Sequence, residues 1–220
     1  MEHNFWIERW NKKEIGWHKE DFHPKLVELG EAIFKQGSAV FVPLCGKSKD
    51  MIWLAQQGYS VVASEISEIA IKEFFAELEL QPEIIQMDSF SCYQNGPYKI
   101  FVGDFFELKP SHLTGCEGWY DRASLIALPE HMRAAYATKL MQLFNPGNKA
   151  LVISLTYPDG FRKGPPFSVG VDELPRLWPN IEKLEHLCSA PTDLLGRRSN
   201  HSETASNNNQ VEEHYFEFTV

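Results

Sequence analysis

With 43% apolar and 23% charged residues, a chain of 220 residues has the composition of a folded globular protein and the length for one substantial core. Thirty acidic against 21 basic residues leave a net charge of −9, which argues against a nucleic-acid or anionic-membrane surface as the main binding face. No run approaches the roughly 20 apolar residues of a membrane span, the opening Met-Glu-His-Asn-Phe-Trp lacks signal-peptide order, and Cys45, Cys92, Cys116 and Cys188 are too scattered for a zinc site or disulfide framework, so a reduced, cytoplasmic protein is expected.

Residues 23–37 read as a helix, with Pro24 at its first position, apolar Leu26, Leu29, Ile33 and Phe34, and a stop at Gly37. Ala39 to Leu44 reads as a buried strand. A helix is expected from Ser48, which would cap it, through Met51, Leu54 and Ala55 to Gly58, with Lys47 extending into solvent. Tyr59 to Glu65 is a second apolar strand, and Ser67 is placed to cap a third helix through Phe74, Phe75 and Leu78. Further strands are expected near 99–102, 118–122 and 149–157, with a helix from Pro129 to about Phe144. An irregular Pro- and Gly-rich stretch follows Tyr157, then a short helix near 172–177 and two late strands, 181–188 and 212–220, fit for an antiparallel edge hairpin. Residues 199–210, which hold one apolar side chain, read as a mobile loop. The expected architecture is α/β: a doubly wound, mostly parallel sheet in a single domain spanning 1–220.

The first strand-to-helix turn, "FVPLCGKSKD", invites comparison with a nucleoside-triphosphate loop. The pattern G-x-x-x-x-G-K-[ST] requires a glycine where Phe41 stands, and a dinucleotide fingerprint requires three glycines where Gly46 is alone. Gly46 permits close backbone approach to a ligand, and Glu65 closes the second strand 19 residues later, where a carboxylate accepts hydrogen bonds from both hydroxyls of a ribose. S-adenosylmethionine, which carries ribose and a carboxylate but no pyrophosphate, is the better candidate. Taken alone, Glu65 is equally well read as a strand-end carboxylate that caps the next helix.

The run "VFVPLCGKSKDMIWLAQQGYSVVASEISEIAIKEFF", with "WIERWNKKEIGWHKEDFHPKL", "YDRASLIALPEHMR" and "GPPFSV", resembles the thiopurine S-methyltransferase family, especially its bacterial members, from Trp6 to about Val169. The resemblance implies a class I methyltransferase fold in which Trp10, Leu44, Glu65 and Arg122 contact S-adenosylmethionine, with Phe105 near the adenine and the backbone around Cys45 and Gly46 near the methionine part. It also implies a lid formed by residues 1–22 with Trp10 and Trp17, although Trp6 and Trp10 at i and i+4 also suit an ordinary helix face. An apolar acceptor pocket is expected from Trp17, Pro165, Pro166 and Phe167, Phe167 being equally suited to anchoring its loop.

Methyl transfer to a thiolate needs alignment and exclusion of water more than a strong base. No catalytic residue is therefore assigned beyond Arg122 as a thiolate stabiliser, with Arg197 or Arg198 as additional cations. His18, beside Trp17, is read as a packing residue. The expected activity is S-methylation of small aromatic or heterocyclic thiols by a monomer, extending to selenium or tellurium compounds in detoxification. An O- or N-methyltransferase dependent on Asp121 or His18 as base, and a non-catalytic S-adenosylmethionine sensor, are the alternatives.

Overall fold

The computed structural model describes residues 3–87, 89–192 and 211–220. Arg197, Arg198 and the expected 199–210 loop lie outside the described residues. The chain runs α1 (His3–Asn11), α2 (Pro24–Ile33), β1 (Ala39–Val42), α3 (Asp50–Gln56), β2 (Ser60–Glu65), α4 (Glu68–Glu77), β3 (Glu83–Gln86), β4 (Ser91–Asn95), β5 (Tyr98–Val102), β6 (Cys116–Asp121), α5 (Glu130–Leu143), β7 (Lys149–Thr156), α6 (Leu174–Leu177), β8 (Lys183–Pro191) and β9 (Glu212–Thr219).

Among the described residues the strands form a nine-stranded sheet in the order β3-β4-β5-β2-β1-β6-β7-β9-β8. The middle five, β5 to β7, are parallel. Their residues are apolar on both faces, as strands covered by helices on two sides must be. Val40, Leu151 and Ile153 face one core with α2, α3 and α4, whereas Phe41, Trp119 and Val152 face the other with α5 and α6. Complete burial of side chains of this size contributes about 1.5–3 kcal/mol each. The late strands pair antiparallel as expected, but β9 lies inside, against β7, and β8 is outermost.

Two strands, β3 and β4, were not expected. They form an antiparallel meander with β5 at the opposite edge, where β3 is exposed along its whole length and shows no in/out alternation. Ser67 does occupy the N-cap position of α4, but its hydroxyl makes no capping bond; its backbone N–H donates to Glu65 Oε1 instead, at 2.9 Å. Ser48, expected to cap α3, stands one residue before the N-cap, which is Lys49 and makes no side-chain capping bond; the Ser48 hydroxyl accepts from the Asp50 N–H at 3.2 Å. Among the described residues no helix is long and apolar enough to cross a membrane.

At Gly118, on β6 between β1 and β7, a methyl group would collide with the Lys149 carbonyl oxygen. That oxygen belongs to the neighbouring strand and cannot turn aside. Gly118→Ala should lower stability by about 1–3 kcal/mol in urea unfolding, and an unchanged midpoint would show that the strands are not this close.

At the end of β6, Asp121 accepts from Leu125 N at 3.1 Å and from Tyr136 Oη at 2.7 Å, tying the strand to α5. Burial raises its carboxyl to about 6, against the lowering effect of these bonds. Because the unfolded value is near 3.9, the group favours the fold below about pH 4, and that contribution is lost as the pH rises through 6. The stability of the protein relative to Asp121→Asn should therefore fall by about 2 kcal/mol from pH 4 to pH 7. A difference independent of pH would contradict titration at this site.

Candidate active site

The chain leaves β1 for α3 on one face of the sheet and leaves β6 toward α5 on the other, so a crevice opens at the carboxyl ends of these neighbouring strands. A cavity of about 440 Å³ lies there, walled by Leu44, Cys45, Gly46, Glu65 and Arg122 from the sheet side, by Trp10, Trp17 and His18 from the amino-terminal segment, and by Pro165 and Pro166.

The turn after β1 is made by two residues in the left-handed region, Leu44 at φ 45° and Gly46 at φ 52°. A side chain at Gly46 would stand 3.2 Å from the Trp10 indole, so glycine here serves both the turn and the close approach of α1. The Gly46 N–H donates to Glu65 Oε2 at 2.8 Å. With Ser67 N on Oε1, each carboxylate oxygen holds one backbone N–H and keeps a lone pair for a ligand. Only 5% of Glu65 is exposed. Burial pushes its carboxyl up from the ordinary value, and the N–H groups of Ser67, Gly46 and Ile66 oppose that rise.

Arg122 Nη1 donates to Asp50 Oδ2 at 3.2 Å, and its buried Nε has no hydrogen-bond partner among the described residues. Lys47, expected in solvent, instead pairs with Glu73 at 2.8 Å and Glu77 at 2.6 Å, its side chain only 11% exposed. The Cys45 thiol is buried with its pKa well above the usual value and donates to the Gly46 carbonyl, which makes it a poor nucleophile.

The amino-terminal segment lies over this edge. Trp10 is buried against Gly46, and the Trp17 ring meets the Trp6 ring edge-on at 5.3 Å and the Trp10 ring at 6.1 Å. His18 also borders the cavity; burial, then the nearby Lys47 charge, lowers its pKa, and its Nε2 has no hydrogen-bond partner among the described residues.

Two expected rings are absent from the wall. The Phe105 side chain turns into the core, stacked on Phe41 at 6.4 Å and against Tyr136 at 4.9 Å. The Phe167 ring lies beneath Gly164, with the Arg133 guanidinium 5.8 Å from its centre, and serves as the anchor of the proline loop. Arg197 lies outside the described residues. The cavity also includes Trp6, read from the sequence as a helix-face residue, and Arg9, Lys19, Ile126 and Arg162, which sequence reasoning did not single out. Arg162 carries no local pattern beyond its place two residues before Gly164.

A family model described as thiopurine S-methyltransferase matches residues 1–217. Curated relatives of that name include one from Pseudomonas paraeruginosa, 42% identical over 187 residues covering 84% of this chain and 82% of the relative. Another, from Gluconobacter oxydans, is 44% identical over 166 residues, 75% of each chain. Among solved structures, an S-adenosylmethionine-dependent methyltransferase from Anabaena variabilis superposes with a TM-score of 0.66 at 13% identity, covering 99% of this chain and 94% of that one. The 1,6-didemethyltoxoflavin-N1-methyltransferase of Burkholderia thailandensis gives 0.63 at 12% identity, over 99% and 87% of the two chains. At these identities the structural likeness speaks for the fold. Sequence and fold agree, and the chain belongs to the thiopurine S-methyltransferase family.

Proposed function

We propose that this protein transfers a methyl group from S-adenosylmethionine to the sulfur of a small aromatic or heterocyclic thiol. The observation that carries this reading is the Glu65 carboxylate, buried at the end of β2, aligned by two backbone N–H groups and bordering the cavity with a free lone pair on each oxygen. That arrangement fits two ribose hydroxyls. The left-handed turn at Leu44 to Gly46 brings backbone to the cavity edge where the methionine part would lie, and the Arg122 side chain, 11% exposed at the cavity wall, carries the charge to meet a carboxylate.

When bound, S-adenosylmethionine supplies an electrophilic methyl group on a sulfonium. The residues of this chain have then to hold the acceptor in line at about 3–3.5 Å and keep water out. Trp17, Pro165 and Pro166 supply apolar walls, and Trp10 closes the side above Gly46. We treat the amino-terminal segment as a lid on this ground. A thiolate needs no strong base, and the Arg122 guanidinium is placed to stabilise one. Selenium and tellurium nucleophiles fall within the same reaction class. The acidic net charge favours a small-molecule acceptor over a nucleic acid, and we take the enzyme to be a cytoplasmic monomer.

Asp121 is a poor base for the O-methylation alternative. It is fully buried, both of its oxygens are engaged by Leu125 and Tyr136, and it does not border the cavity.

Glu65→Gln should weaken S-adenosylhomocysteine binding about tenfold to a hundredfold in calorimetric titration, because a hydrogen bond to a charged group is worth about 1.5–3 kcal/mol. Unchanged affinity would remove the ribose assignment. With 6-mercaptopurine as acceptor, one S-methyl product should form per S-adenosylhomocysteine released. Tight cofactor binding without turnover of any thiol would favour the sensor.

A further inference from the structure

A link from the cavity into the buried polar interior runs through Arg122 to Asp50, the first residue of α3, which is fully buried and does not border the cavity. Three donors converge on its carboxylate. The backbone N–H of His23, where the amino-terminal segment ends and α2 begins, donates to Oδ1 at 2.8 Å. Tyr120 Oη at 3.0 Å and Arg122 Nη1 at 3.2 Å donate to Oδ2.

A carboxylate with no exposure is costly unless it is both charge-balanced and hydrogen-bonded. Arg122 supplies the countercharge, while the other two donors hold the carboxylate still. His23 is itself fixed. Its Nδ1 accepts from Lys25 N at 3.2 Å, which leaves the proton on Nε2 for Glu213 Oε2 at 3.2 Å, and Tyr215 Oη donates to that same oxygen at 2.8 Å. The chain of contacts therefore extends from β9 through the start of α2 to the guanidinium in the cavity wall.

We propose that Asp50 is the positioning residue for Arg122, holding the guanidinium at Nη1 so that the exposed part of the side chain is presented to the ligand. This rests on the function proposed above only in taking Arg122 as part of the site. The same carboxylate, through His23, fixes the point from which the amino-terminal segment crosses the cavity.

The test is a double-mutant cycle of Asp50→Asn and Arg122→Gln, read as S-adenosylhomocysteine affinity and as kcat and KM for methyl transfer. In either orientation an asparagine amide turns an N–H toward a donor that the carboxylate accepts. Asp50→Asn should reproduce the loss caused by Arg122→Gln, about tenfold to a hundredfold and in the same parameter. The double variant should be no worse than Arg122→Gln alone. Additive losses, or an Asp50→Asn variant with full affinity and turnover, would overturn the proposal.

Tyr120→Phe guards against a folding artefact, since it removes a donor from the same oxygen without touching Arg122. It should lower the melting temperature and retain affinity; an affinity loss equal to that of Asp50→Asn in the folded protein would make packing the cause and reject Asp50. If Arg122→Gln keeps both affinity and turnover, Arg122 is not a site residue and the proposal falls with it. If the protein binds S-adenosylhomocysteine but methylates no thiol, the acceptor assignment has failed, and the affinity cycle still decides for or against Asp50.

Discussion

The parallel pairing of β1 with β2 on one side and β6 on the other is the constraint on which the rest of this structure depends. Register places Phe41 beside Val62 and Trp119, so the three strands end close together. Parallel neighbours require crossover connections, and those after β1 and β6 depart to opposite faces of the sheet. The carboxyl end of β1 is consequently left uncovered by either, and the cavity forms there. Fold and site share one cause.

Buried carboxylates then divide the labour. Desolvation makes each costly, and each is stabilised by donors held in fixed positions. Asp121 is consumed entirely by structure, joining β6 to the turn at Leu125 and to Tyr136 on α5. Asp50 does not border the cavity and is tied to its wall through Arg122. Glu65 alone of the three borders the cavity, and the backbone N–H groups that align it come from the ends of the two segments it joins. A side chain that would otherwise be read as a helix cap has both oxygens oriented and neither saturated, which is why we propose it as the binding group.

The covering over this edge is aromatic. Trp10 sits on the one residue of the turn that has no side chain to exclude it, while Trp6 and Trp17 complete a set of edge-on rings. Both descriptions of the segment, helix face and cavity wall, apply to the same residues. Trp10 is packed against Gly46 as a core residue and at the same time forms part of the cavity wall.

The sequence by itself determined the alternation of strands and helices, the turn at Gly46, the carboxylate at Glu65, the family and the placement of the proline loop, because these depend on local periodicity, backbone freedom and short motifs. Strands β3 and β4 escaped it: an edge meander gains its stability from pairing with β5, and an exposed β3 carries no burial pattern to read. Tertiary structure alone decided that Lys47 would be held by Glu73 and Glu77 on α4, since those partners are 26 and 30 residues away in the chain. It also decided that the Phe105 and Phe167 rings would turn inward, and that Arg162 and Lys19 would reach the cavity from distant segments. Which way a side chain points at a strand end is set by what packs against it, and that information is spread across the whole chain.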